Sequence, residues 1–257
     1  MGREKENRIS VCIICGNEIR NIGRCLESVK WADEIVVVDS FSTDGTYDIA
    51  LKYTDKVIRQ EWLGYIGQKK FASKQASCPW IFFVDADEEV SDGLRAEIEK
   101  TFAKPIPEGV NGFNCPRLVH YLGRWIRHGD WYPDMKLRLF RKAFGECGGE
   151  EPHDRITVEG RVWDFVNPLN HYTYDSISAQ LRQIDRFSSI SAETHSSHRA
   201  PTYFTICGHA TFRFIRCYFF KRGFLDGIPG LIVAVNVAFS TFSKYAKLWE
   251  LKKVENK

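Results

Sequence analysis

Three short apolar runs, each leading to a carboxylate and each followed by a segment of helical periodicity, set the tightest limit on how this chain can fold. Ile9 to Ile14 passes through Cys15-Gly16-Asn17-Glu18 into a segment with Ile22, Leu26 and Val29 on one helical face. Glu34-Ile35-Val36-Val37-Val38-Asp39 leads through Ser40-Phe41-Ser42-Thr43-Asp44-Gly45-Thr46 into a helix through Ile49, Ala50 and Tyr53. Ile81-Phe82-Phe83-Val84 ends at Asp85-Ala86-Asp87. Such runs are strands covered on both faces, and their alternation with helices demands right-handed crossovers. The expected fold is α/β: a Rossmann-like mixed, mostly parallel sheet with helices on both faces.

Sheets of this kind bind ligands in the crevice at the carboxyl ends of their strands, where Asp39, Asp85 and Asp87 fall. If the backbone stays extended through Ala86, Asp85 and Asp87 project to one side and hold a hard divalent cation, or a cation and a ribose. The plainer alternative makes them loop carboxylates, Asp87 helping to start a helix from Ser91, and makes Asp39 a loop cap. Asp44 and Thr46 read best as caps of the next helix. No G-x-G-x-x-G follows the first run and no G-x-x-x-x-G-K-[ST] occurs, which argues against a dinucleotide-binding dehydrogenase and a P-loop enzyme.

The ordered set Asn17-Glu18, Val38-Asp39-Ser40-x-Ser42-Thr43-Asp44-Gly45-Thr46, Trp62-x-Gly64, Gln68-Lys69 and Asp85-Ala86-Asp87-Glu88 resembles family 2 glycosyltransferases of the GT-A fold. Trp131-Tyr132-Pro133-Asp134, Lys136 to Arg141, His153-Asp154 and Asn170-His171-Tyr172 resemble the bacterial lipopolysaccharide-core β-1,4-glucosyltransferase branch. The chain departs from the family at Cys15-Gly16, where a Thr and an apolar residue are usual, and at Lys70, where Asn is usual. The resemblance implies that Asp39 recognises uracil, that Glu18 lies near the nucleotide, that Lys69 and Asp85 contact the donor and that Asp87 binds Mg²⁺ or Mn²⁺. Between a diphosphate leaving group and the protein, such an ion offsets the charge that develops as the glycosidic bond breaks.

On the acceptor side the resemblance places the base of an inverting transfer at Asp154, with His153 completing the metal shell; many relatives carry Glu in place of Asp154. Glu150 and Glu151 compete for the role of base, and a glycine-rich loop bearing three acids also reads as a solvated turn. From Met135 to Phe140, alternation sends Lys136, Arg138 and Phe140 to one face and Leu137, Leu139 and Arg141 to the other. Arg138 then reaches the pyrophosphate or joins a surface salt bridge. Trp131 and Tyr132 are acceptor-stacking candidates, as is Trp125; the alternative is that these rings close the core beneath their loop.

A length of 257 residues with 44% hydrophobic content suits a catalytic domain over 8–172, with a nucleotide-binding half 8–103 and an acceptor half 104–172, and a helical extension over 173–257. The charged stretch Met1 to Asn7 offers no signal peptide, so a cytoplasmic location is expected. Eight cysteines are scattered and read as reduced thiols; Cys12 and Cys15 point to opposite faces of a strand and cannot share zinc. A helix from about Ser176 to Glu193 should bury Ile177, Leu181, Ile184 and Ile190, and His195-Ser-Ser-His198 reads as an exposed helix end.

Phe204 to Phe224 mixes aromatics with Arg213, Arg216, Lys221 and Arg222. Ile228 to Phe239, interrupted by Pro229, Gly230 and Asn236, is too short for a span of about 20 residues. Such basic, aromatic helices bind anionic lipid, or else pack on the catalytic domain or on a second copy, which makes the protein a homo-oligomer. The expected partners are a UDP-sugar, UDP-glucose favoured, and a lipid-linked saccharide, with peripheral contact at the cytoplasmic face of the inner membrane. No nucleic acid is expected, because no recognition module is present.

The activity these readings imply is an inverting transfer of a hexose to the lipopolysaccharide inner core. The alternatives are a different UDP-sugar transferase of cell-envelope polysaccharide synthesis, or a non-catalytic carbohydrate- or nucleotide-binding module at the membrane. A sugar-1-phosphate nucleotidyltransferase lacks its glycine-rich, basic signature here.

Overall fold

The three apolar runs are strands: β1 (Ile9–Cys15), β2 (Glu34–Asp39) and β4 (Trp80–Phe83), with β3 (Val57–Arg59) between the last two in sequence. The computed structural model describes residues 4–150, 153–174, 176–195 and 200–255. The chain forms two units, one of Met1–Arg117 with Asp134–His171 and one of Leu118–Pro133 with Tyr172–Lys257.

In the first unit a mixed sheet runs in the order β3-β2-β1-β4-β8-β6-β12-β5. Its later strands are β5 (Glu88–Val90), β6 (Val110–Tyr121), β8 (Asp134–Arg141) and β12 (Leu169–Tyr174). The pairs β2–β3, β1–β2 and β1–β4 are parallel, and β8 joins β4 antiparallel. The register sets Cys15 beside Asp39 and Cys12 beside Phe83, so the β1, β2 and β4 chains all leave the sheet at one edge. Parallel strands need crossovers; here these are α1 (Ile22–Ser28), α2 (Thr46–Ala50) and α3 (Gly64–Gln75).

Side-chain alternation gives the sheet two apolar faces. Val11, Ile13, Val37 and Phe82 pack with α1 and with α4 (Asp92–Phe102), whereas Cys12, Ile14, Val36, Ile81 and Phe83 pack with Ala72 of α3 and with Ala76. Cys12 and Cys15 therefore face opposite ways, and all eight cysteines are free thiols. Burial pushes the thiols of Cys12, Cys15 and Cys25 up from their ordinary range. Helix α4 starts where expected: Ser91 Oγ accepts the Leu94 amide at 3.1 Å and donates to the Pro168 carbonyl at 2.7 Å.

Strand β8 corrects one expectation. Phe113 of β6 pairs with Leu139 and Asn114 with Leu137, leaving Arg138 as the extra residue of a β-bulge. The bulge interrupts alternation, so Leu137 and Phe140 share one face of the sheet while Leu139 packs on the other. A hairpin of β9 (Gly145–Glu150) and β10 (His153–Val158) pairs Asp154 with Gly149.

In the second unit the last residues of β6 pair with β7 (Arg124–Ile126) around Leu122-Gly123. Helices α5 (Ile177–Thr194), α6 (Tyr203–Ile215) and α7 (Gly227–Glu255) follow, with a π-helical turn Arg216–Phe220 after α6. Their core joins Val119, Tyr121, Ile126, Cys217, Val233 and Ala234. The buried face of α5 is Gln180, Ile184, Ser188 and Ala192, so Ile184 is buried as expected, whereas Ile190 is half-buried and Ile177 and Leu181 are exposed. Polarity alone misleads here, because Gln180 is buried by accepting hydrogen bonds from Tyr121 Oη and Asn236 Nδ2. His195, just past α5, contacts the Ser191 carbonyl through Nδ1 at 2.7 Å, whereas His198 lies outside the described residues.

Helix α7 is the larger correction. Pro229 lies in its first turn, where a missing amide costs nothing, and Gly230 permits close packing, since a Cβ there would meet the Gly223 carbonyl oxygen at 2.0 Å. The apolar segment is thus uninterrupted, and Gly223–Lys253 is long and apolar enough to cross a bilayer by length and composition.

Candidate active site

After Phe83 the chain does not stay extended. The Asp85 carbonyl accepts the Glu88 amide at 2.8 Å, and Glu88 Oε2 accepts the Asp85 amide at 2.9 Å, closing a turn around Ala86-Asp87. Asp85 and Asp87 thereby take different partners, Asp85 pairing with Lys69 and Arg138 and Asp87 with His171.

Asp85 sits in a chain of alternating charges. Its Oδ1 lies 3.1 Å from Lys69 Nζ and its Oδ2 2.6 Å from Arg138 Nη2. The same Nη2 lies 2.6 Å from Glu88 Oε1, and Lys69 Nζ donates to Asp154 Oδ2 at 2.7 Å. Lys69, Glu88 and Arg138 are buried; Asp85 and Asp154 keep part of their surface. Burial alone would raise the Asp85 carboxyl, but Arg138 and Lys69 outweigh it and hold it well below the usual carboxylate range. Burial pulls the Lys69 ammonium down, yet Asp85 and Asp154 hold it above its ordinary value. Glu88 is pushed up by burial, against the pull of Arg138.

The sequence placed Arg138 at the pyrophosphate or in a surface ion pair. Its ion pairs are with Asp85 and Glu88 and are buried, not at the surface, and Arg138 is the extra residue of the bulge. Asp85, Arg138 and Asp154 line one open cleft of about 560 Å³ together with Arg117, Met135, Lys136, Leu137, Arg155 and Ile156. At its rim Arg117 holds Asp134 with Nε at 3.1 Å and Nη2 at 2.6 Å, and Lys136 lies 3.2 Å from the same carboxylate.

Asp87 Oδ2 lies 3.1 Å from Nε2 of His171, which β12 holds opposite Glu88. His171 Nδ1 is buried without a hydrogen-bond partner among the described residues. Among those residues no group of three or more His, Cys, Asp or Glu is placed to hold a metal ion. The side chains of His153, Glu150 and Glu151 lie outside the described residues.

At the edge beside β1 and β2, side chains stitch two loops together. Asn17 Oδ1 accepts the Thr43 amide at 2.9 Å, Ser42 Oγ the Asn17 amide at 2.8 Å and Thr46 Oγ1 the Glu18 amide at 2.8 Å. Asp44 accepts the amides of Ile19 and Thr46, but the N-cap of α2 is Gly45, in the left-handed conformation with φ +96° and with no side-chain cap, so Asp44 and Thr46 are not the caps expected. Asp39 is fully buried, accepting the Ser42 amide at 3.0 Å. Glu18 Oε2 accepts from Asn21 at 3.0 Å. Gln68 donates to Ser40 Oγ at 2.8 Å, while its buried Oε1 has no partner among the described residues.

The structure thus brings Lys69, Asp85, Arg138 and Asp154 into one network, sets Asp39 at the end of β2 and Glu18 in the loop after β1, and gives Asp87 to His171. Trp131 and Tyr132 belong to the second unit, where Trp131 packs 5.3 Å from the Tyr121 ring and 5.9 Å from Tyr174. Glu88 and His171 were missed as site residues, although each stood inside a motif already singled out. The i, i+3 spacing of Asp85 and Glu88 was the available signal for a turn.

A parallel first half, an antiparallel second half and acids at the strand ends define a glycosyltransferase of the GT-A fold. Residues 10–152 match Glycosyl transferase family 2, and the chain belongs to that family. It is 30% identical over 250 residues to the lipopolysaccharide core biosynthesis glycosyltransferase LpsC of Rhizobium meliloti, covering 94% of this chain and 92% of that one. It is 32% identical over 256 residues to an uncharacterized glycosyltransferase of Rickettsia typhi, covering 95% and 87%. Among solved structures, the mannosyltransferase PcManGT from Pyrobaculum calidifontis, in complex with GDP-Man and Mn²⁺, superposes with a TM-score of 0.50 at 14% identity, covering 97% of this chain and 78% of that one.

Proposed function

We propose that this chain is an inverting, metal-dependent hexosyltransferase that moves a sugar, glucose in the favoured case, from a UDP-sugar to a saccharide of the lipopolysaccharide inner core. The observation that carries the reading is the bridge Asp85–Lys69–Asp154, in which one buried ammonium joins two acids that both line the cleft, one read as donor-side and one as acceptor-side. The likeness to LpsC supports the acceptor class. On this reading 8–172 is the catalytic domain and 173–257 an extension, and the enzyme works in the cytoplasm, peripheral to the inner membrane where a lipid-linked acceptor is found.

In the transfer the acceptor hydroxyl oxygen bonds to the anomeric carbon, its proton passes to the Asp154 carboxylate, and the bond to the diphosphate oxygen breaks on the opposite face. The configuration inverts and the nucleoside diphosphate leaves as an anion. Lys69 holds both acids and offers fixed positive charge to the departing diphosphate. Arg138 positions Asp85, which meets the ribose or sugar; Asp39 takes the uracil ring, and Glu18 the nucleotide beside it. Trp131 and Tyr132 are proposed for the acceptor.

Asp87 is proposed as a metal ligand, with His153 retained from the sequence reading. The adjacent His171, whose Nε2 lies 3.1 Å from the Asp87 carboxylate, would make with it a donor pair that suits Mn²⁺, and the oxygen ligand alone suits Mg²⁺. When bound, the ion supplies positive charge to the diphosphate.

The test is Asp154→Asn, assayed by UDP release from UDP-glucose with deacylated lipopolysaccharide core as acceptor. The expected loss in kcat is about 10²- to 10⁴-fold with UDP affinity retained. An unchanged kcat removes Asp154 from the role of base, and a donor site that prefers GDP or CDP over UDP in calorimetry overturns the donor assignment.

A further inference from the structure

We propose that α6, α7 and the turn between them form a docking surface for an anionic phospholipid bilayer, with α7 lying in the plane of the interface and not crossing it. The proposal rests on the peripheral location put forward above and names its surface and its partner.

The apolar surface is large and ordered. Along α7 the exposed residues Ile228, Leu231, Val235, Phe239 and Phe242 recur at three- and four-residue steps, a single stripe of one helix. No charged residue falls from Gly227 through Ser243. Preceding it, Phe204 is 84% exposed and Phe220 is 74% exposed, and Ile228 at the start of α7 is 75% exposed. Rings of this size left in water on adjacent packed helices mark an interaction face. The stack of His209 on Tyr245 at 5.1 Å and the packing of Cys217 with Val233 fix α6 and α7 as an antiparallel pair.

Charge selects the partner. Between Ala200 and Trp249 the only acid is Asp226, and it is buried, accepting the amides of Arg127 and His128. The same span carries Arg213, Arg216, Lys221, Arg222, Lys244 and Lys247. Arg213, Arg216 and Lys221 gather on one carboxylate, that of Asp130, at 3.2, 2.8 and 3.1 Å, so the turn keeps a surplus of positive charge, to which the exposed Arg222 adds. At the far end Lys253 lies 4.6 Å from the Trp249 ring, an aromatic–basic pair of the kind that settles at headgroup level. An apolar stripe flanked by cations, with no exposed acid from Ala200 to Trp249, matches a bilayer bearing negative headgroups, and the exposed Glu250 lies beyond the stripe at its far end.

The packing of α7 decides between lying on the bilayer and spanning it. Asn236 donates to Gln180 of α5, and Lys247 Nζ reaches Asp185 Oδ1 at 2.6 Å and Ser189 Oγ at 2.8 Å, so α5 lines α7 from its middle towards its C-terminal end. α5 also carries charge in water: Arg182 and Arg186 are exposed, and Asp185, although reached by Lys247, has a side chain 79% exposed. A spanning α7 would draw those charges into hydrocarbon, which is strongly unfavourable. With one side on protein, only the opposite stripe is left for lipid.

The test is flotation of the full-length protein with vesicles of phosphatidylcholine alone or mixed with phosphatidylglycerol, for the wild type, Phe220→Ser/Ile228→Ser and Lys221→Gln/Arg222→Gln. All four side chains are exposed, and circular dichroism with a thermal melt confirms that each variant is folded. The wild type should float with the anionic vesicles, be released by high salt and by alkaline carbonate, and lose at least about tenfold in partitioning in either variant. Equal binding to neutral and anionic vesicles overturns the charge argument, and retention through carbonate overturns the in-plane placement. Absence of vesicle binding, with a dimer in sedimentation equilibrium that Phe220→Ser/Ile228→Ser dissociates, assigns the surface to a second copy. UDP binding measured on the same preparations should be unchanged in both variants. Its absence in the wild type would remove the donor site while leaving the lipid result standing.

Discussion

Arg138 is the residue on which the site's electrostatics turn. It is buried, it lies 2.6 Å from both Asp85 and Glu88, and Glu88 is fully enclosed. Removing one member of such a network leaves an uncompensated buried charge, so Arg138→Met is expected to destabilise the protein by about 3–5 kcal/mol in urea unfolding. Combining it with Glu88→Gln should recover part of that loss, and a cost of Arg138→Met below about 1 kcal/mol would show the network to be marginal. Glu34 gives a second, separate reading of charge. Burial works to raise its carboxyl, but hydrogen bonds from Lys56, Ser10 and Ser77 outweigh it and bring it to about 2. A depressed acid contributes stability above its ordinary value of 4.5 and loses it as pH falls from there towards about 2. The stability gap between wild type and Glu34→Gln should therefore be constant near neutrality and close across that acid window; a gap independent of pH would rule the linkage out.

At the scale of elements, the strands β1, β2 and β4 were legible because four to six consecutive apolar residues covered on both faces have few other solutions. The start of α4 was equally plain, since Ser91 is an N-cap residue ahead of an apolar-periodic segment; Ser91→Ala should cost about 1 kcal/mol of thermal stability, with no loss meaning that the Leu94 amide finds another acceptor. The bulge in β8 was not legible, because alternation assumes one residue per rung and nothing in Lys136 to Arg141 announces an extra one. The buried face of α5 was misread in part for a related reason: hydropathy cannot tell that Gln180 will find Tyr121 and Asn236. Pro229 and Gly230 look like helix breakers, yet one sits in a first turn and the other at a close backbone approach. In the site the carboxylates were visible as strand-end residues. Their partners were not, since Asp154 and Lys69 lie 85 positions apart in the sequence and His171 and Asp87 lie 84 apart.

At the scale of the whole molecule, ligand binding and stability are linked, so the donor site can be probed without an acceptor. A nucleotide that binds the folded chain and not the unfolded one raises stability by about 2.7 kcal/mol at a concentration one hundred times its Kd. For a chain of this size, where each 1 kcal/mol moves Tm by about 2–4 °C, that corresponds to a rise of roughly 5–10 °C. UDP with Mn²⁺ should give such a rise, GDP and CDP a smaller one, and UDP without metal a smaller one still if Asp87 contributes to an ion that joins protein to diphosphate. Asp87→Ala should remove the metal-dependent part while keeping the unliganded Tm close to that of the wild type, because Asp87 is part-exposed and its described contact is His171 alone. Arg138→Met would lower the unliganded Tm as well, which separates a ligand effect from a structural one. If UDP raises Tm equally with and without Mn²⁺, in wild type and in Asp87→Ala alike, the nucleotide site stands but the metal does not belong to it, and the charge on the departing diphosphate must be met by Lys69 and its neighbours in the cleft.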